Sequence, residues 1–497
     1  MSRFILLAVY FVWMSWTSHD SSSPPAAVSR APAENPLPVI WFFSGYLILI
    51  LLTAVWSRRM VRTVDADNFD KKLRRYDRVM SLARLVVPIW FFAGVYFLGW
   101  GNLVVAVQRV LRLNPDRLDF PGLLLGTIPA LAAWVGLWWS QYPADLAFRE
   151  QSLLSQIDAG FPVHQPPPLG SYLRANLRLQ LFFTVAPVMA LVALRDLLSL
   201  ALAPFGLREQ ESLPIQLAIS LITAAVILLF APEFLRRVLK TEPLPEGPLR
   251  QRLVQVCRRH NIRFRDVLLW RTDYNMGNAA VMGMIPQVRY ILMSDLLLET
   301  MTDDQIEAVF AHEIGHVIHR HMLWFAVFFG AVMFAMVGLT APLSKLADRW
   351  TPDSIWPAAL ATLAASAGCL FLFLFLSRKF ERQADVFAAR TIQADDSDGS
   401  HVGQPLVGPP HVGSHGAMIF TSALNQVARI NCIPVDAFSA CHGSIAKRME
   451  YLQSLCDNPV RTMQFDRFMS RLNALLLLCL CSFGVWAMLT LFQQQRG

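Results

Sequence analysis

The sequence predicts a mainly α fold: multi-pass transmembrane helices carrying a cytosol-facing α+β domain. Three observations predict it. First, the 497 residues are 54% hydrophobic and only 16% charged, against about 25% charged in soluble globular chains. Second, several apolar runs reach the length of about 20 residues that a membrane-spanning helix needs. Third, residues 232–321 change character. There, short apolar runs broken by Gly and Pro alternate with amphipathic stretches, the pattern of strands and turns mixed with helices.

Residues 1–36 open with an apolar run at 4–16 that follows Arg3 and is short for a span. It is expected to be a signal-like segment or a short anchor, followed by a Pro- and Ser-rich linker over 17–36. Residues 37–231 form the multi-span region, with spans expected at 37–57, 83–105, 120–141, 179–203 and 213–231. Arg195 and Asp196 lie near one end of the fourth span and are expected to snorkel as a pair. Residues 232–471 form the second region, interrupted by spans at 322–344 and 358–376. A last span at 472–492 lies within the C-terminal segment 472–497.

The net charge is +8. The basic residues cluster beside apolar runs, as in Arg58, Arg59, Arg62, Lys71, Lys72, Arg74, Arg75 and Arg78. This is the placement of cytoplasmic loops flanking spans rather than of one basic surface, so the bilayer is the expected partner and nucleic acid is not. With 58–78 in the cytoplasm, alternation puts 142–178, 232–321 and 377–471 there too. It leaves 106–119, 204–212 and 345–357 outside. The seven cysteines show no zinc-finger spacing, and Cys369, Cys479 and Cys481 lie in apolar runs, so they are expected as small buried hydrophobes.

Within 232–321, "PLPEGPLRQRLVQVCRRHNI" begins with Pro and Gly and continues with helical periodicity. "RDVLLWRTDYN" and "NAAVMGMIPQVRYILMS" are expected to be strands and turns. "TDDQIEAVFAHEIGHVIHRHM" is expected to be a helix, with Thr302 as N-cap and Asp303 and Asp304 at its positive dipole end. Residues 391–416, rich in Gly, Pro, Asp and His, read as a mobile loop in which His401, His411 and His415 are solvated.

The chemistry is carried by His-Glu-x-x-His at 312–316 in "AHEIGHVIH". Positions i and i+4 share one helix face, so His312 and His316 can ligate a single zinc ion. Glu313, next to the first ligand, can take a proton from the attacking water and later deliver it to the leaving amine. His319 and His321 are expected as interfacial residues before the next span. A catalytic zinc keeps three protein ligands and one open position, so a third ligand must come from the same side of the membrane. "SRKFERQADVFAARTI" follows span 358–376 and offers Glu381 and Asp385 at i and i+4. Two antiparallel spans separate it from His316, which returns it to the side of His312. Glu381 is expected as the third ligand, and Asp385 as the partner that orients a ligand imidazole. The alternative for this stretch is an ordinary charged helix at a membrane surface.

"HEIGH", followed after two spans by "SRKFERQADVFAAR", resembles the integral-membrane zinc metallopeptidases that include HtpX and the type 1 CAAX prenyl proteases. The resemblance covers roughly 232–455, less the loop. It implies a zincin-like metallopeptidase domain over 232–471. It also implies that Asn278, in the pair Asn278-Ala279 with Gly283 in the following turn, holds substrate backbone near the scissile bond. "CHGSIAKRMEYL" supplies His442, Ser444 and Arg448, matching a family pattern whose His stabilises the oxyanion. Arg448, like Asp385, is expected to support the site from outside the ligand set. Gly443 stands where the family has Pro.

The expected function is that of a zinc-dependent endopeptidase acting on membrane-associated proteins or peptides. Its expected place is a bacterial cytoplasmic membrane, with the active site toward the cytoplasm. The alternatives are a catalytically silent scaffold or chaperone that keeps the fold, and a metal transporter. A transporter would carry acidic and His residues inside its spans, whereas these lie outside them.

Overall fold

The computed structural model describes residues 9–10, 12–14, 16–17, 36–63, 68–113, 118–158, 165–205, 213–332, 334–335, 356–396 and 411–494. The N-terminal bundle consists of α1 (Leu37–Val61), α2 (Phe69–Tyr96), α3 (Trp100–Val110), α4 (Asp119–Asp158), α5 (Leu169–Asn176), a π-helical turn (Leu177–Phe182), α6 (Phe183–Leu202) and α7 (Leu213–Val238). Among the described residues, six helices are long and apolar enough to cross a membrane: Leu37–Val61, Phe69–Tyr96, Asp119–Leu153, Thr184–Phe205, Ala218–Val238 and Pro459–Trp486. The chain is a multi-pass membrane protein. Phe42, Val87, Phe91, Trp134 and Trp138 fill the interior of the bundle, while Leu47, Leu52, Leu221 and Phe230 point outward. Helices that are apolar on all sides suit burial between protein and hydrocarbon. Val9 and Trp13 are packed into the same core, with the Trp13 ring over Gly126.

Three expectations about this bundle change. The span expected at 83–105 is the second half of α2. The helix ends at Phe97, and Gly99 at φ 74° starts α3 separately. Much of the basic stretch expected as a loop is helical, because α1 runs to Val61 and α2 begins at Phe69. Arg195 and Asp196 do not snorkel as a pair. Asp196 accepts a hydrogen bond from the Phe120 amide at 2.8 Å, and Arg195 pairs with Asp119 at 3.1 Å. The first amides of a helix have no intrahelical acceptor, so an intramembrane charge here satisfies the start of α4.

The second region holds a four-stranded sheet of β1 (Thr241–Pro243), β2 (Asp266–Trp270), β3 (Ala279–Met282) and β4 (Tyr290–Ser294), in the order β1-β2-β4-β3. β2 and β4 run parallel and are buried, whereas β3 pairs antiparallel with β4 and forms an edge. Gly283 turns the chain out of β3 at φ 94°, where an added Cβ would lie 2.1 Å from the Val288 carbonyl oxygen. Helix α8 (Pro248–Arg259) precedes β2, and the short α9 (Asp295–Thr300) follows β4.

Then come α10 (Asp303–Ile318), α11 (His321–Val332), α12 (Trp356–Asp396), α13 (Ser414–Ile430), α14 (Ile445–Leu455) and α15 (Pro459–Gln494). Thr302 caps α10 in a reciprocal box with Gln305. The span expected at 322–344 is described over α11 and at 334–335; the rest of it, with residues up to 355, lies outside the described residues. The loop expected at 391–416 is shorter at both ends, since α12 continues to Asp396 and α13 starts at Ser414; His401 lies outside the described residues. Helix α15 begins well before residue 472, at Pro459. One core ties these parts together: Leu253, Val267, Met293, Phe310, Ile314, Phe380 and Phe420 are buried against one another. Each such side chain contributes roughly 1.5–3 kcal/mol by leaving water.

Candidate metal centre

The site begins with helix periodicity. On α10 His312 and His316 lie one turn apart, and their rings meet edge-on with centroids 4.9 Å apart. Helix α12 crosses this face closely because residue 315 is Gly; a Cβ there would sit 3.1 Å from Ala384 Cα. The same uninterrupted helix carries the chain from an apolar half, where Leu370, Phe371 and Leu372 are exposed, to Glu381 and Asp385.

His312 Nε2 and His316 Nε2 are 3.3 Å apart. Glu381 Oε2 is 3.6 Å from His312 Nε2, and Glu381 Oε1 is 3.7 Å from His316 Nε2. Zinc–nitrogen and zinc–oxygen bonds of about 2.0–2.2 Å in a tetrahedron place ligand atoms roughly 3.3–3.6 Å apart. The three side chains therefore fit a zinc ion. Among the described residues this is the group of His, Cys, Asp and Glu able to hold a metal.

Four further side chains, Arg448, Asp385, Phe420 and His442, pack against this group. Arg448, on α14, grips Asp385 with two hydrogen bonds, Nε to Oδ2 at 2.9 Å and Nη2 to Oδ1 at 2.5 Å. Arg448 Nη1 also lies 3.7 Å from Glu381 Oε2. Asp385 Oδ1 stands 2.9 Å from His312 Nδ1, although the ring is turned out of hydrogen-bond alignment. Phe420 stacks on His312 from the side of α13. His442 Nδ1 reaches Glu381 Oε1 at 2.9 Å while the rest of its side chain is 60% exposed, so it stands at the open mouth of the site. Ser444 caps α14 by accepting a hydrogen bond from the Lys447 amide, which aims Arg448 inward. Gly443 adopts φ 76°. Proline, locked near −65°, cannot take that conformation, so the departure from the family pattern is a different turn rather than an equivalent one.

His321 was expected to be an interfacial residue, and the structure corrects this. It is buried and stacks flat on Phe380 with centroids 4.3 Å apart. Its Nδ1 is 2.8 Å from His316 Nδ1, and its Nε2 is 3.0 Å from Gln383 Oε1. The tautomers follow from one constraint. If His316 Nε2 ligates, its Nδ1 carries hydrogen and donates to His321 Nδ1, and His321 Nε2 then donates to Gln383. The arrangement is a second-sphere relay that fixes a ligand ring. Its sequence signal was the i+5 spacing from His316 across the break between α10 and α11, which helical periodicity does not register. His319, His411 and His415 contribute no donor to the group.

Glu313 follows His312 and faces the sheet edge. Burial pushes its carboxyl up to about 7, with Glu381 adding to the rise and His312 opposing it. The Val281 amide interacts with the same carboxyl. Asn278 leads into β3: its amide donates to Ser294 Oγ at 2.8 Å, and its carbonyl accepts from the Ser294 amide at 2.9 Å. By strand alternation, the amides and carbonyls of Ala279 and Val281 turn away from β4 toward the open edge. Burial opposes protonation of His312, but Asp385 and Glu381 outweigh it and raise that ring to about 9. Burial opposes ionisation of Glu381 as well, yet His442 and His312 hold it well below the usual carboxylate range. For Asp385, Arg448 overcomes burial in the same way. Burial, against the opposing pull of Glu381 and with His312 adding to the fall, brings the His316 ring down to about 4. The cluster is thus built around positive charge.

Two histidines and a glutamate on crossed helices, with a second carboxyl beside an edge strand, form a group that could hold a metal ion, in a chain that also carries six candidate membrane helices among its described residues. Residues 243–456 match the model of peptidase family M48. The resemblance to the HtpX and CAAX prenyl protease family holds. A Thermoplasma acidophilum protein named "Protease HtpX homolog" is 32% identical over 188 residues, covering 36% of this chain and 58% of that protein. An Oryza sativa subsp. japonica protein named "CAAX prenyl protease 1 homolog" is 25% identical over 160 residues, covering 30% of this chain and 38% of that protein. The chain thus spans little more than half, or less, of these relatives. The crystal structure of S. mikatae Ste24p aligns with a TM-score of 0.48 and 14% identity, over 84% of this chain and 99% of that one.

Proposed function

We propose that this chain is a membrane-embedded zinc endopeptidase that hydrolyses membrane-associated proteins or peptides, with its site toward the cytoplasm. The observation that carries the reading is the meeting of His312, His316 and Glu381 donor atoms within 4.8 Å of one another, beside Glu313 and a free strand edge. Zinc, when bound, supplies a Lewis acid and lowers the pKa of water toward about 7.

The chain's own residues supply the rest. The edge of β3 adds a substrate strand through the outward amide and carbonyl of Ala279 and the carbonyl of Val281, and Asn278 anchors the start of that strand. Glu313 takes a proton from the attacking water, and an elevated carboxyl pKa suits a group that must return it to the leaving amine nitrogen. His442, at the exposed mouth, donates to the oxyanion of the tetrahedral intermediate. Asp385 and Arg448 keep His312 and Glu381 in place. The basic segments next to α1 and α2 support a cytoplasmic orientation.

The test is Glu313→Gln in the full-length protein. Cleavage of a membrane-protein substrate should fall by about 10²–10⁴-fold, with zinc content unchanged. A catalytically silent scaffold would keep its cellular function in that variant, and unchanged cleavage would end the proposal.

A further inference from the structure

A second polar cluster lies where the membrane helices meet the sheet domain. A cavity of about 250 Å³ there is lined by Arg84, Gln141, Asp145, Arg149, Arg178 and Asn275, among others, and by none of the metal-site residues. Arg84 belongs to α2; Gln141, Asp145 and Arg149 to α4; Arg178 to the π-helical turn; and Asn275 to the segment before β3. The helix residues stand where the apolar stretch of their element ends: α2 turns apolar after Arg84, α4 turns polar from Gln141, and apolar α6 begins after the π turn. That is headgroup depth in a bilayer.

The hydrogen bonds in this cavity are incomplete. Asp145 accepts from the hydroxyls of Tyr76 and Tyr172. Arg84 Nη2 donates to Gln141 Oε1 at 2.9 Å, and Arg149 Nη1 donates to the Asn275 carbonyl at 3.0 Å. Arg84 Nε and Gln141 Nε2 remain as buried donors without a partner, and Asn275 Oδ1 as a buried acceptor without one. Gln141 is 1% exposed and Asn275 6% exposed. Buried polar atoms in folded proteins are nearly always paired. The charge also fails to close, because Arg84, Arg149, Arg178 and Arg271 line the cavity against Asp145 and Asp273, and among the described residues only Arg271 has a further carboxylate, Glu242, as ion-pair partner.

We propose that this cavity binds a phosphate ester whose headgroup also carries a hydroxyl. Phosphate oxygens accept from Arg84 Nε, Gln141 Nε2 and Arg178, and the hydroxyl donates to Asn275 Oδ1. A fully deprotonated anion such as sulfate would leave that last acceptor unmet. The same chemistry exists in an anionic phospholipid such as phosphatidylglycerol and in soluble glycerol phosphate. Leu85, Ile89 and Phe182 are exposed on the elements that carry Arg84 and Arg178, and such apolar surface suits acyl chains, which favours the lipid. The occupant would also touch the segment that leads to the substrate strand. Arg149 holds that segment at Asn275, and Asn431 holds it at Gly277, through Oδ1 to the amide at 3.0 Å and Nδ2 to the carbonyl at 2.7 Å.

The test uses the full-length protein in detergent, exchanged against phosphatidylglycerol or phosphatidylcholine, with retained lipid counted by native mass spectrometry and sn-glycerol 3-phosphate as competitor. Phosphatidylglycerol should be retained at least about tenfold better than phosphatidylcholine. Arg178→Gln and Gln141→Leu should each remove about tenfold of that retention, with zinc content unchanged as the folding control. If Gln141→Leu loses its zinc, Arg178→Gln decides, because its side chain makes no hydrogen bond or ion pair among the described residues. Equal protection against heat by sn-glycerol 3-phosphate, without a preference between the lipids, assigns the same site to a soluble ester. Equal retention of both lipids with no effect of glycerol phosphate, or full retention in the variants, overturns it.

Discussion

The metal centre and the junction cavity are both polar clusters buried in an apolar molecule, yet they are finished differently. In the metal centre charge is matched to charge: Arg448 to Asp385 and Glu381, His442 to Glu381, and Asp385 to His312. In the cavity Arg84 and Gln141 satisfy each other on one side and leave a donor each on the other. The first cluster is organised ahead of any ligand; the second has places for one. Pre-organisation of ligand side chains is what a metal site requires.

That difference can be broken most severely at Arg448. Arg448→Leu leaves Asp385 as a buried charge without its partner, which costs about 3–5 kcal/mol. Thermal unfolding of the zinc-free protein should show the loss, and an unchanged melting temperature would refute the matched-charge account. Next is Gly315→Ala. A methyl 3.1 Å from Ala384 Cα forces α10 from α12 and should destabilise by about 1–3 kcal/mol. Chemical denaturation reads that value; a neutral result would mean the helices slide apart freely.

His321→Phe sharpens the comparison, because it keeps the stack on Phe380 and removes both hydrogen bonds of the relay. Zinc affinity, measured by chelator competition, should fall about 10–100-fold. Gln383→Leu added on top should cost less than it does alone, since both act through one chain of bonds. Purely additive losses would show that His321 only packs. The last effect is in pH. With the His312 ring raised to about 9, its proton competes with the metal at every pH below that value. Apparent zinc affinity should therefore rise by about tenfold per pH unit toward pH 9 and level off above it. A flat response between pH 7 and 9 would contradict this.

Much of the site was legible because helical spacing is local information. His312, His316 and Glu313 follow from i and i+4 on α10, and Thr302 from its place before an amphipathic run. Glu381 followed from counting spans, and the distances of 3.6 and 3.7 Å agree with that count. His321 was illegible because a left-handed residue, Arg320 at φ 54°, breaks the helix before it and swings it back onto His316. The junction cavity had no local signal at all; its residues come from α2, α4, the π turn and the segment before β3.

What the sequence determined by itself was therefore the composition of the spans, the face of α10 that carries His312 and His316, and the return of α12 to the same side. Periodicity and hydrophobic length act over one helix at a time. Tertiary structure alone decided which atoms Arg195, Asp196, His321 and Gln141 meet. Such contacts depend on how separate helices pack, and packing distances of a few ångströms are written in no single segment.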